Sequence, residues 1–175
     1  MEQQAARDPI VLGIDPGLRI MGYGLVSEHR GELQLVDFGA FVVNARLPHS
    51  ERLAFLFVSL RDIIAKHGPT EVAVEQPFVA ANVQSAMAIG EARAIAVLAA
   101  GLAGLPVRQY SPAEVKRVVA GYGRGSKEQV QEMVRLQLGL ATPPTPFDAA
   151  DALAVALCHL NYTRSQSVIE RSAQR

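Results

Sequence analysis

Two short apolar runs in this sequence each end on a carboxylate: "VLGID" delivers Asp15 and "VAVE" delivers Glu75. Runs this apolar read as strands buried on both faces, where an unpaired carboxylate is costly. Either acid alone reads equally well as a strand-end residue capping a neighbouring turn or helix. Their recurrence shifts the balance, because parallel neighbouring strands would bring both acids to one edge of a sheet. That edge is where ligands of open α/β sheets tend to sit. A third segment, "FDAAD", sets Asp148 and Asp151 three apart at a helix start, hence on one face. Taken alone, this pair is more simply helix-start chemistry, with Asp148 an N-cap and Asp151 favoured by the positive helix end. The small Ala149 and Ala150 between them would let such a helix approach the sheet closely.

Four clustered carboxylates with no cationic neighbour in their own segments repel one another strongly, so something positive must offset them. Oxygen-only ligation suits magnesium or manganese rather than zinc. Two such ions about 3.5–4 Å apart are a known device for phosphodiester hydrolysis, one generating the attacking hydroxide and the other stabilising the leaving 3′ oxygen. Asp15 is then a metal ligand. Pro16 and Gly17 would end its strand in a tight turn and leave the backbone bare near a substrate, although Asp-Pro-Gly is also common turn chemistry.

The elements that must position these acids follow from the pattern. Residues 10–15, "MGYGLVSE" and "LQLVDFGAFVV" read as three strands joined by short turns, hence an antiparallel meander. From Pro48 to Lys66 the apolar residues recur at helical spacing, and "HGPT" ends that helix. "EVAVEQ" is a buried strand followed by the loop "PFVAAN", an alanine-rich helix over 82–103, and a fifth strand at "PVRQY". Ser111-Pro112 starts a helix, "GYGRGS" breaks the chain, and helices follow over about 126–138 and from "FDAAD" to Tyr162. The order βββαβαβα, followed by more helix, implies an α/β fold. Its mixed five-stranded sheet has three antiparallel strands, then parallel crossover strands, with helices flanking it. Residues 9–162 form one domain, with 1–8 an extension and 163–175 a tail, both expected to be disordered.

At 175 residues, 49% hydrophobic and 19% charged, the chain is a globular protein with a sizeable core. No apolar run is read as approaching the length of a bilayer span, and the polar start "MEQQAARDP" is not a secretory signal. Cys158, the single cysteine, excludes an intrachain disulfide or a cysteine-built zinc site and reads as a buried thiol, so a cytoplasmic location is expected. The formal net charge of zero counts mildly against a nucleic-acid binder. Where the charges lie matters more. Arg108, Lys116, Arg117, Arg124, Lys127 and Arg135 stand against Glu114, Glu128 and Glu132, six minus three, or +3, between residues 108 and 135. For any one of them a solvated helical face is the simpler account. "GYGRGSK" lacks the ending of a P-loop and is not read as a nucleotide site.

"GIDPGLRIMGYGLV", "AVEQPF", "NVQSAMAIGEARA" and "DAADALAVALCH" together resemble the RuvC family of bacterial Holliday-junction resolvases, collinearly over about residues 9–160. The resemblance implies an RNase H-like fold and a homodimer that nicks two opposing strands of a four-way junction, in homologous recombination and DNA repair. The expected ends are 5′ phosphate and 3′ hydroxyl. It implies that Asp15, Glu75, Asp148 and Asp151 bind two Mg2+ ions, with Mn2+ a possible substitute; some relatives carry histidine at the position of Asp148. It places Phe78 where an aromatic packs on unpaired bases near the crossover, although an isolated Phe in such a loop otherwise reads as a core anchor. Lys116 and Lys127 match lysines that bind DNA backbone and could also steady the pentavalent phosphate, with Lys127 the catalytic candidate of the two. Arg117 and Arg124 are further DNA-contact candidates in the same stretch. The family also implies a RuvA–RuvB branch-migration complex as partner, no membrane, and a dimer contact near the alanine-rich helix.

Three rivals are weaker. Sugar kinases and actin-like ATPases need a duplicated phosphate loop, for which this chain has no room. A non-cleaving junction-binding module should lack one of the acids, and none is missing. Another RNase H-like nuclease, acting on RNA–DNA hybrid, would share the acids but not the "EQPF" and "DAADALA" segments.

Overall fold

The computed structural model describes residues 8–76, 83–121 and 125–173. These form β1 (Ile10–Asp15), β2 (Ile20–His29), β3 (Glu32–Val42), α1 (His49–His67), β4 (Glu71–Glu75), α2 (Val83–Leu102), β5 (Val107–Tyr110), α3 (Pro112–Ala120), α4 (Lys127–Gln137) and α5 (Phe147–Ala173). The sheet order is β3-β2-β1-β4-β5. β1, β2 and β3 pair antiparallel, while β4 joins β1, and β5 joins β4, in parallel. The mixed sheet expected from the element order is therefore observed.

β1 is the central strand, and its two-residue alternation divides the protein. Leu12 and Ile14, with Val72 and Val74 of β4, pack against Leu56 and Leu60 of α1 and the alanines of α2. Val11 and Ala73 face the other way, onto Val115 and Val119 of α3, Val130 and Val134 of α4, and Leu153 and Leu157 of α5. Burial on both faces is what the unbroken apolar runs required. Local signals set the helix ends. Gly68 closes α1 in the left-handed conformation, which a side chain would disfavour. Ser111 and Ser126 open α3 and α4 through capping boxes with Glu114 and Gln129.

Two expectations need correction. α5 runs to Ala173 rather than stopping at 162, so residues 163–173 are helix and not a disordered tail. The stretch is polar, which hides it from an apolar-periodicity reading, but it contains no glycine or proline. Thr163 and Ser165 bond back to the carbonyls of His159 and Asn161, and Arg164 pairs with Glu28 of β2 at 3.4 Å. α2 is, by length and composition alone, apolar enough to cross a membrane, contrary to the reading that no run approaches that length. Its buried side is Ala92, Ala96, Ala99 and Ala100, packed on the sheet. Of the N-terminal extension only Asp8 lies among the described residues, where its carboxylate meets His29 at 2.6 Å.

Candidate active site

β1 and β4 run side by side in the register Ile14↔Val74, so Asp15 and Glu75, one residue on, end both strands at the same level. The alternation that sends Ile14 and Val74 towards α1 and α2 sends both acids to the face of α5. Their carboxyl groups hydrogen-bond to each other.

α5 comes down to them because the sheet beneath it carries no side chains where contact is tightest. A Cβ on Gly13 would overlap the carbonyl oxygen of Ala152, one on Gly22 that of Asp148, and one on Gly24 the side chain of Leu153. Gly22 is also the register partner of Asp15. Glycines on β1 and β2, together with the buried Ala149 and Ala150, thus seat the first turns of α5 on the strand ends. Asp148 and Asp151 are delivered beside Asp15. The alanines were legible in the sequence; the glycine pattern "GxxxxxxxxGxG" across two strands was the stronger signal and went unread.

The result is a group of like charges in a partly dry site. Burial, then Glu75, Asp151 and Asp148, push the Asp15 carboxyl up to about 8, with Lys127 opposing. Glu75 is raised by burial and Asp151, against its hydrogen bond with Asp15 and the pull of Lys127 and Lys116. Asp151 is raised chiefly by burial, again with Lys127 opposing. The cation missing from the acids' own segments therefore comes from a distant helix. Lys127 opens α4 and donates from Nζ to Asp151 Oδ2 at 3.2 Å. Burial would lower the lysine's own pKa, but the acids around it outweigh that and raise it.

The donor set fits a hard divalent cation, being all oxygen, clustered and short of positive charge. As the side chains stand, no three acids among the described residues close into a metal cage. Lys127 supplies part of the missing charge instead.

The other candidates separate. Lys116 on α3 lies close enough to act on Glu75 and Asp151. Arg117 lines a different cavity of about 350 Å³, with Tyr110, Glu114, Cys158 and Tyr162. Arg135 is tied to Glu132 at 2.7 Å, and Arg108 lies over the Tyr162 ring at 3.4 Å. The basic stretch is thus not one face. Phe78 and Arg124 lie outside the described residues. Cys158 is buried and its thiol is pushed up to about 12, which keeps it protonated and unreactive. His159, 3% exposed, bonds through Nδ1 to the Tyr110 hydroxyl at 2.8 Å and through Nε2 to Glu71 at 2.7 Å. It is tied into this structural pair of bonds and touches none of the four acids.

Comparisons with known proteins converge on one family. The family model described as crossover junction endodeoxyribonuclease RuvC matches residues 11–159. The crossover junction endodeoxyribonuclease RuvC of Chloroflexus aurantiacus is 53% identical over 148 residues, covering 85% of this chain and 90% of that one. Its counterpart in Dehalococcoides mccartyi is 50% identical over 161 residues, covering 92% and 96%. The structure of T. thermophilus RuvC in complex with Holliday junction substrate superimposes with a TM-score of 0.85 at 35% identity, covering 90% of this chain and 96% of that one.

Proposed function

This chain belongs to the RuvC family of crossover junction endodeoxyribonucleases, and from that membership we propose that its four strand-end and helix-start acids cut opposing strands of a four-way DNA junction. It is a metal-dependent nuclease of RNase H-like fold that resolves Holliday junctions in recombination and repair. The observation that carries the assignment of the site is the shared level of Asp15 and Glu75 on adjacent parallel strands, on the face where Asp148 and Asp151 arrive.

In the proposed mechanism Asp15, Glu75, Asp148 and Asp151 would hold two Mg2+ ions, with Mn2+ as the alternative ion to test. When bound, the ions supply an activated water and charge stabilisation for the leaving 3′ oxygen. The chain's own part is positional. The sheet end fixes Asp15 and Glu75, and α5 fixes the other two acids against them. Lys127 spreads positive charge over the site and, with a phosphate present, can turn from Asp151 to the non-bridging oxygens. Lys116 approaches from α3 and adds a backbone contact. Phe78, three residues after Glu75 in sequence, would stack on an opened base.

Symmetric nicking needs two such sites, and α2 supplies a surface for a homodimer. Val83, Met87, Leu98 and Leu102 are 76%, 63%, 51% and 70% exposed and, at helical spacing, share one stripe. Gly90, within that stripe, has open space around it and is not spent on packing inside the subunit. A stripe that is apolar at both ends and bare in the middle suits a second α2. Cytoplasmic action alongside a RuvA–RuvB branch-migration complex completes the proposal.

The test is cleavage of a synthetic four-way junction, mobile at its centre, beside plain duplex and RNA–DNA hybrid, with and without divalent metal. Paired, metal-dependent nicks confined to the junction support the assignment. Hybrid cleavage would move it to another RNase H-like nuclease. Tight binding with no nick under either Mg2+ or Mn2+ would leave a junction-binding module.

A further inference from the structure

Beside the acids, on the side of α1 and α2, lies a groove of about 580 Å³ lined by Gly17, Arg19, Arg52, Gln84, Ser85 and Asp148. Asp148 joins it to the acid cluster, so a chain lying in the groove leads straight into the site. Its two arginines come from distant parts of the sequence. Arg19 stands at the turn between β1 and β2, exposed, with no ion pair among the described residues. That turn is tight because a Cβ on Gly17 would overlap the carbonyl oxygen of Ile20. Arg52 rises from the first turns of α1, and its Nε is shielded from solvent without a hydrogen-bond partner. A buried guanidinium N–H without an acceptor is costly, and an anion is what relieves it. The same side chain is steadied from behind: its terminal nitrogen meets His49 Nδ1 at 3.4 Å, and His49 Nε2 meets Glu91 of α2 at 3.2 Å. Ile20, Ala88 and Ile89 give the groove an apolar side.

We propose that this groove is a phosphate clamp for the strand being cut, with Arg19 and Arg52 holding backbone phosphates that flank the scissile one. The inference rests on the nuclease reading of the acid site and extends it. Lys116 and Lys127 approach the acids from the face of α3 and α4, whereas Arg52, Gln84 and Ser85 belong to the two helices on the opposite face of the sheet. A strand passing the sheet end is then gripped on both sides of the acids, and the reacting phosphate is held in line by its neighbours. Guanidinium groups suit this role because their fork meets two phosphate oxygens at once, and such contacts set position without reading sequence.

The test is the salt dependence of junction binding, read by fluorescence anisotropy of a labelled four-way junction in EDTA, alongside nicking in Mg2+. Arg19→Ala and Arg52→Ala are each expected to weaken binding about tenfold near 100 mM salt, and to reduce the slope of log affinity against log salt by roughly 0.7–0.9. Arg61→Ala, on the same helix but paired to Asp62, should leave both unchanged. Arg52→Lys should keep the slope, since the charge stays, while losing affinity. Because Arg52 is partly buried, the exposed Arg19 is the decisive position. A wild-type chain that binds and nicks junctions while Arg19→Ala matches it in affinity and slope overturns the clamp and leaves the nuclease standing. A wild-type chain that neither binds nor nicks overturns both.

Discussion

β4 begins at Glu71 and ends at Glu75, and α5 carries Asp151 and, eight residues later, His159. One strand and one helix therefore meet twice, at two polar clusters of opposite design. At the far end Glu71, His159 and Tyr110 are matched donor to acceptor, at 2.7 and 2.8 Å, with His159 and Tyr110 buried and Glu71 half-buried. At the near end Glu75 and Asp151 join Asp15 and Asp148 in a cluster of acids, and the carboxyls of Asp15, Glu75 and Asp151 are pushed up, relieved only in part by Lys127. The first arrangement is what stability alone would select. The second is tolerable only where function needs a charge deficit that a cation fills.

The largest effect should come from breaking the near cluster. Asp15→Asn keeps the size of the side chain and removes its charge, so cleavage of a four-way junction should fall on the order of a thousandfold. Junction affinity in EDTA should stay within about threefold, because it rests on basic residues. Cleavage near the wild-type rate would refute the assignment of Asp15. Lys127→Ala comes next. It removes the one cation bonded to an acid of the cluster among the described residues, and single-turnover cleavage should drop about 10–100-fold. At 61% side-chain exposure the lysine contributes little to folding, so the melting temperature should hardly move. A clear thermal loss with normal cleavage would reverse the contrast and make Lys127 a packing residue.

How much of this was legible in the sequence depended on range. Strands ending in Asp15 and Glu75, and a helix opening with Asp148 and Asp151, are local patterns, and the parallel register that joins the first two follows from the element order. Lys127 as a direct partner of Asp151 was not local. The two are 24 residues apart, and only the packing of α4 against α5 brings them together. The groove arginines were invisible for the same reason, since 33 residues separate Arg19 from Arg52. The helical tail beyond 162 was missed because its support comes from side-chain bonds one turn back and from Glu28 of β2, neither of which an apolar pattern records.

Breaking the far cluster should do the reverse of breaking the near one. His159→Ala removes both of its hydrogen bonds and leaves the Tyr110 hydroxyl buried without that partner. The expected cost is about 2–4 kcal/mol, or roughly 5–15 °C in melting temperature for a domain of this size. Cleavage measured well below that melting point should stay within about threefold of wild type, since His159 touches none of the four acids. A loss of cleavage comparable to that of Lys127→Ala, in a protein still folded, would mean that the two clusters are coupled through α5 rather than merely sharing it.

The subtlest distinction between the clusters is their dependence on pH. Folding lifts the Asp15 carboxyl from 3.8 to about 8 and raises Glu75 and Asp151 as well, so the folded chain retains protons that the unfolded chain has already lost. Stability without metal must then fall as pH rises between about 5 and 8, by up to 1.4 kcal/mol per pH unit for each proton of difference. Glu114, held low by Ser111, has the opposite sign, but its contribution is lost only as pH falls below its ordinary 4.5 and so stays outside that window. For a chain this long each kcal/mol is about 2–4 °C. Thermal melts in EDTA at pH 5, 6, 7 and 8 should therefore show a wild-type curve that slopes downward and an Asp15→Asn curve that is flatter and crosses above it near pH 8. Saturating Mg2+ should lift the wild type most at pH 8, where the site is most nearly ionised, and should lift Asp15→Asn much less. Parallel wild-type and Asp15→Asn curves would mean that the acids are screened by solvent after all, and that the near end of β4 is no more strained than the far one.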